Sequence, residues 1–208
     1  MSADAALASR AAIGMHLLLP PGWEQLIVAA DGTSPDLERL LTRAVAAQSG
    51  EQRAGVAALL ETLRSQLVGS LAAQGQSVLL VPTRPIEGIP VPASITARPL
   101  TPPDDGRTAE DVLVAFAARH RSTAVELDGA LGLRREQSTA ARTADDGSIV
   151  PASRRISYLL HLPGGTRWAL LDAVILRPDV EGADDALVAV DMLCDAIMST
   201  VSFDRSAS

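Results

Sequence analysis

Lysine and asparagine are missing from the 208 residues, so all 18 basic side chains are arginine. Both absent residues use AA-starting codons, and a GC-rich coding bias gives this pattern without bearing on mechanism. Cysteine occurs once, as Cys194. A single thiol excludes an intrachain disulfide and any cysteine cluster for zinc or iron–sulfur, and its place in an apolar helical stripe predicts a buried, inert group. Aromatic residues supply only 2% of the chain. Trp23, Phe116, Tyr158, Trp168 and Phe203 are the whole set, so the core must be built mostly from Leu, Val, Ile and Ala. No apolar run reaches the roughly 18 residues that a membrane span needs. The run ending LLL at Leu19 is not expected to be a secretion signal: Asp4 stands where positive charge is wanted, His16 interrupts it and no small-residue cleavage site follows. The GxSxG, GxGxxG, P-loop and HExxH patterns are also missing, which removes those common enzyme classes from the reading.

What is present suits a folded acidic chain. Hydrophobic residues at 47% and charged ones at 21% lie far from the composition of disordered chains, and the length suffices for one well-buried core. One domain is expected over residues 11–204, with flexible termini at 1–10 and 205–208. The formal charge of -7, with a pI near 4.9, repels phosphate backbones and anionic lipid. The pairs Arg134-Arg135 and Arg154-Arg155 are too small to reverse that field, so neither nucleic acid nor a membrane surface is an expected partner, and the cytoplasm is the expected compartment.

Along the chain, Ile13 to Leu19 reads as a short strand ended by Pro20-Pro21-Gly22, with a further extended piece around Leu26 to Val28. Ser34 as N-cap and Pro35 at the first helical position open a helix. A longer helix is expected over Glu51 to Gln74. Ser77 to Thr83 and Val91 to Leu100 read as an antiparallel strand pair. Thr108 begins TAED, a capping box with Asp at its fourth position, and the helix after it ends near His120. Ala124 to Arg134, Arg154 to Leu162 and Thr166 to Leu176 read as strands. The last two flank Pro163-Gly164-Gly165 as a hairpin, and Glu136 to Ser153 is expected to be an irregular polar loop. Gly129 and Gly132 read as bulge or turn residues. The terminal helix, Asp184 to Val201, places Leu187, Val190, Leu193, Cys194, Ile197, Met198 and Val201 on one stripe. Asp191 and Asp195 are assigned to its solvent side and Met192 to an exposed position.

No catalytic residue and no metal ligand set is assigned, and no cofactor is expected. His16, His120 and His161 lie on different elements without ligand spacing, although an antiparallel sheet could bring His16 and His161 together. Asp172 interrupts the strand WALLDAVIL, where a carboxylate needs either a wet face or an arginine. His16, His161 and Asp172 therefore form the candidate polar site. Trp23, Trp168, Arg154 and Arg167 are the residue types that anchor protein partners, and they form the candidate protein-binding set.

The arrangement of LLLPPGW, VPASITARPL, TAEDVLVAFA, SYLLHLPGGTRWALLDAVI and the terminal helix resembles uncharacterised actinobacterial proteins with a PsbP-like α/β sandwich. The resemblance implies an α+β fold, an antiparallel sheet covered by helices, and an accessory or binding role. A non-enzymatic protein-binding domain is the leading expectation. The alternatives are a small hydrolase or ligand-binding enzyme using His16 or His161 with Asp172, and a homo-oligomeric structural protein.

Overall fold

Strands with one apolar face pair until that face is covered. In the computed structural model they do so as a seven-stranded, wholly antiparallel sheet. The structure describes residues 14–29, 31–46, 57, 77–85, 91–100, 106–143, 147, 149–163, 166–177 and 183–204. In chain order the strands are β1 (Met15–His16), β2 (Trp23–Val28), β3 (Ser77–Pro82), β4 (Ala93–Leu100), β5 (Ser122–Leu127), β6 (Ala130–Thr139), β7 (Arg142–Thr143), β8 (Ile149–Val150), β9 (Ala152–His161), β10 (Trp168–Arg177) and β11 (Ser202–Phe203). Among the described residues, Ala57 apart, the helices are α1 (Pro35–Ala46), α2 (Ala109–Arg119) and α3 (Ala183–Ser199). The sheet runs β2-β3-β4-β10-β9-β6-β5, and β1 with β11 and β7 with β8 form two-stranded ribbons. The chain is thus α+β, an antiparallel sheet partly covered by helices.

Period-two alternation divides the residues between the two faces. Ala169, Leu171, Ala173 and Ile175 of β10 point one way with Ile95 and Ala97 of β4 and Ile156, Tyr158 and Leu160 of β9. Leu187, Val190, Cys194, Ile197 and Met198 of α3 close over them, which builds the main core. On the opposite face α1 lays Leu37 against Leu26, Val28 and Leu79 at the β2–β3 edge, a smaller second cluster. Ser34 caps α1 through its Oγ, which accepts from the Leu37 amide at 3.4 Å. At α2 the capping box forms as the sequence predicts. The Asp111 amide donates to Thr108 Oγ1 at 3.1 Å, and the Thr108 amide donates to Asp111 Oδ2 at 3.0 Å.

Several boundaries differ from the sequence reading. The expected first strand shrinks to Met15–His16, because it has only Ser202 and Phe203 to pair with. The expected strand Ala124 to Arg134 is a hairpin turning at Asp128 (φ 48) and Gly129 (φ 79). Two successive positive φ values match the right-handed twist of the flanking strands, and Asp-Gly suits them. Glu136 to Thr139, read as the start of a polar loop, continue β6 because Ser153, Arg154, Arg155 and Ile156 supply their ladder partners. The helix expected over Glu51 to Gln74 lies, Ala57 apart, outside the described residues, as do Gly164-Gly165 and the chain ends expected to be flexible.

Gly132 is neither bulge nor turn. It sits in regular register between Val125 and Leu160, and a Cβ there would stand 2.3 Å from the Leu159 carbonyl oxygen and 2.6 Å from Leu160 Cδ2. Only glycine permits that approach. Gly132→Ala is expected to cost about 2–3 kcal/mol, through forced separation of β6 and β9; urea denaturation measures it, and a loss near zero would mean the two strands yield freely.

Candidate functional site

The sequence-predicted polar residues are dispersed. His16 on β1 bonds through Nε2 to Asp204 Oδ1 at 2.8 Å. A carboxylate only accepts, so that ring nitrogen carries the proton; Nδ1 is buried without a hydrogen-bond partner among the described residues. His161 pairs in register with Trp168, their rings 5.0 Å apart edge to face. Asp172 lies four residues further along β10 on the same face, about 13 Å away at strand rise. It sits between Thr96 and Ser157 in the ladder and accepts from the Ser157 hydroxyl. The half-buried face and a serine, rather than an arginine, accommodate this carboxylate. His16 meets Asp204, not Asp172, and the three residues form no proton relay.

The candidate anchors divide as well. Trp23 and Trp168 are 7% and 4% exposed, so neither offers its ring to a partner. With so few aromatics in the chain, the fold spends both indoles on its interior. Arg167 is exposed in the β9–β10 connection, where its carbonyl accepts from the Leu162 amide at 2.9 Å. Arg154 is held by two carboxylates, Glu136 at 2.6 Å and Asp191 at 2.9 Å.

Those contacts belong to a network that pattern reading missed. Arg134 and Glu136 of β6 and Arg154 and Tyr158 of β9 stand on the face under α3, alongside that helix. Asp191 and Asp195, one turn apart on α3, come down to meet them. Asp195 Oδ1 accepts from Arg134 Nε at 2.9 Å and from the Tyr158 hydroxyl at 2.7 Å. Arg134 also reaches Glu136 at 2.6 Å, and its guanidinium lies 5.9 Å from the Tyr158 ring centroid. Asp191 is 9% exposed, not on the solvent side that the sequence suggests. Burial raises its carboxyl above the ordinary value against the opposing charges of Arg154 and Arg177. For Arg134 the balance is reversed: burial alone would lower it, but its bonds to Asp195 and Glu136 outweigh that and hold it above the usual range. Glu136 is likewise pushed up by burial and pulled further down by Arg134 and Arg154.

With its core arc turned down and its acidic arc turned to the arginines, α3 leaves a third arc to water. Val188, Ala189, Met192, Ala196 and Ser199 are exposed there, Val188 at 54% and Met192 at 69%. None carries a charge. At the helix end Leu18, 57% exposed, prolongs the stripe, its amide bonded to Thr200 Oγ1 at 2.9 Å. A solvent-facing helix arc normally carries charged or polar side chains. This surface is the strongest functional feature among the described residues. The sequence did contain its signal, since every acid of the helix middle falls on one flank. Chemically the helix is otherwise quiet: burial, aided by the fields of Asp191 and Asp195, pushes the Cys194 thiol up to about 12. Among the described residues no group of three or more His, Cys, Asp or Glu could hold a metal ion.

Tyr158, the only tyrosine, reports on the network. Desolvation and the bond to Asp195 push its hydroxyl from 10.0 up to about 12. The folded chain holds that proton more tightly than the unfolded one. The resulting stability is complete below pH 10 and is lost as pH rises through about 12. Tyrosinate ultraviolet absorbance should show one transition near 12, and Asp195→Asn should bring it back toward 10; an unchanged transition in the variant would deny the contact. Asp195→Ala should cost about 1 kcal/mol in urea denaturation, a modest loss because water screens a partly exposed carboxylate.

No family profile and no curated protein matches the chain. Among solved structures it is similar to the Saccharomyces cerevisiae Ran-binding protein Mog1p, at 10% identity and TM-score 0.44 over 91% of this chain and 90% of that one. It is similar to a point mutant of Mog1 at 11% identity and TM-score 0.44, over 93% of each chain. It is also similar to a protein of Bacteroides thetaiotaomicron at 8% identity and TM-score 0.43, over 94% of this chain but 47% of that one, so the chain spans about half of that protein's length. These matches overturn the expected resemblance to PsbP-like actinobacterial proteins. The stretches behind that expectation were turns, a capping box and alternating strands, which any antiparallel sheet covered by helices uses.

Proposed function

We propose that this protein is a non-enzymatic, cytoplasmic accessory that binds another protein through the outward face of α3. The observation that carries the reading is the uncharged arc of Val188, Ala189, Met192 and Ala196. It is exposed while Asp191 and Asp195 of the same helix turn toward the arginines of β6 and β9. Exposed apolar surface costs solubility and is kept where a partner covers it. Uncharged side chains such as these desolvate at low cost on docking. The cytoplasmic placement rests on the single cysteine, which suits a reducing compartment.

The test uses the tagged full chain as bait in lysate of its source organism, beside the double variant Val188→Glu with Met192→Glu. Both side chains are mostly exposed, so the variant should keep its circular dichroism spectrum and stay within about 0.5 kcal/mol of the parent in stability. Proteins captured by the parent should fall at least about tenfold with the variant, since glutamate at the centre of a dry contact is poorly tolerated. An identical captured set from parent and variant would falsify docking by this face.

A further inference from the structure

The two arginine pairs of the sequence are divided between the faces of the sheet, and we infer that Arg135 and Arg155, on the face away from α3, dock a short acidic segment of another protein in extended form. This inference rests on residues other than those of the α3 surface. Alternation along β6 and β9 sends Arg134 and Arg154 under α3 and Arg135 and Arg155 to the reverse face. Under α3, Glu136 bonds both arginines, and Asp195 and Asp191 add a second carboxylate to each. On the reverse face the next residue of β6 is Gln137, an amide. Arg135 and Arg155 are diagonal neighbours in the β6–β9 register, about 7–8 Å apart between Cα atoms. Arg135 leans along its strand so that Nη2 donates to Gln137 Oε1 at 2.9 Å, and Gln137 is the register partner of Arg155. Both guanidinium groups thus gather at one row of the sheet. Among the described residues neither meets a carboxylate. Asp172, diagonal to Arg155 from the β10 side, accepts from the Ser157 hydroxyl instead.

Two like charges held as close neighbours repel, a cost that an incoming carboxylate relieves. The register sets the form in which carboxylates fit. The line from Arg135 through Arg155 runs on to Leu176, one strand further and two residues along, and Leu176 is 43% exposed. Alternate residues of an extended chain face the same way about 6.6 Å apart, close to the step of that diagonal. A segment of the form acid, any, acid, any, aliphatic therefore lays one carboxylate on Arg135, the next on Arg155 and its aliphatic side chain on Leu176. Guanidinium and carboxylate make charge-assisted bonds in a matching fork, the stronger class of hydrogen bond. The net charge of -7 holds off a long polyanion, so a short segment with two acids suits this face better. A nucleic acid suits it less: two arginines neutralise few phosphates, and both tryptophans, which could stack on bases, are buried.

The probe is the amidated peptide Gly-Glu-Thr-Glu-Thr-Leu-Thr, titrated into the isotope-labelled full-length chain and followed by two-dimensional NMR. Two contacts of this kind support a dissociation constant of about 0.1–1 mM. The shifted amides should centre on Arg135, Arg155 and Leu176. Arg155→Gln should raise the dissociation constant at least about tenfold by removing one guanidinium. Gln137→Glu should do the same by supplying a carboxylate from within the chain, and its urea midpoint should not fall. Both positions are exposed, so both variants should keep the parent's circular dichroism spectrum. The same peptide with glutamine for each glutamate should not bind. The Val188→Glu, Met192→Glu double variant should bind the peptide as the parent does, which separates this site from the face of α3. Absence of shifts at millimolar peptide overturns the inference, as do shifts that survive Arg155→Gln, equal binding of the glutamine peptide, or loss of binding in the double variant. An oligothymidylate that binds the parent more tightly than the peptide, and no longer binds Arg155→Gln, also overturns it and assigns the arginines to nucleic acid.

Discussion

Asp195 reaching across to Arg134 and Tyr158 fixes the rotation of α3, and the character of that side of the molecule follows from it. A helix over a sheet has three arcs to dispose of: one for the core, and two flanks that meet either water or the surrounding strands. Here Leu187, Val190, Cys194, Ile197 and Met198 fill the first. One flank is taken by Asp191 and Asp195 because arginines of β6 and β9 stand there. Turning α3 by one residue about its axis would pull the core arc out of contact and break the carboxylate bonds together. The apolar surface facing water is the remainder, held in place by polar contacts on the other side of the helix.

The two faces of the sheet differ in how they handle polarity. Under α3 the charges are gathered at one flank of a continuous apolar floor, where each has a partner of opposite sign. On the reverse face Asp172 sits mid-strand beside Ser157 and Thr96, and half-burial with the Ser157 hydroxyl as donor makes its carboxylate tolerable. The histidines follow the same economy. His16 is spent on Asp204, and His161 leans on Trp168. Polar residues that look reactive in isolation are each engaged by a neighbour that only the sheet register brings near.

Local chemistry was legible in the sequence and distant pairing was not. Ser34 and the Thr108–Asp111 box announced their helices because both halves of each signal lie within four residues. The β9–β10 hairpin was legible because Pro163 and the glycines beside it punctuate two apolar runs. Asp128-Gly129 carried an equally good turn signal, but the apolar alternation continues through it and conceals the break. Glu136 to Thr139 look like loop because their polarity is matched by Arg154 and Arg155, residues that pair with them only after folding. Asp191 and Asp195 were given to solvent for the same reason, since Arg134 lies 61 residues from Asp195 along the chain. The outward arc of α3 was half legible: Met192 could be placed outside the core stripe, but not the engagement of the acids that leaves its surroundings uncharged.

The small ribbon of β1 and β11 has a mechanical meaning. Met15 pairs with Phe203 and His16 with Ser202, and the Asp204 amide donates to the Gly14 carbonyl at 2.6 Å. Residues 14 and 204 therefore leave the ribbon side by side at the same end. Tension applied through the two would load its hydrogen bonds one after another, as a zip is opened, instead of shearing them together. The ribbon would part at low force while the seven-stranded sheet carried none of the load, and the His16–Asp204 pair would be among the first contacts to yield. The clasp bridges residues 14 and 204 across a strong body, and a pull through those two opens it before the body feels the load.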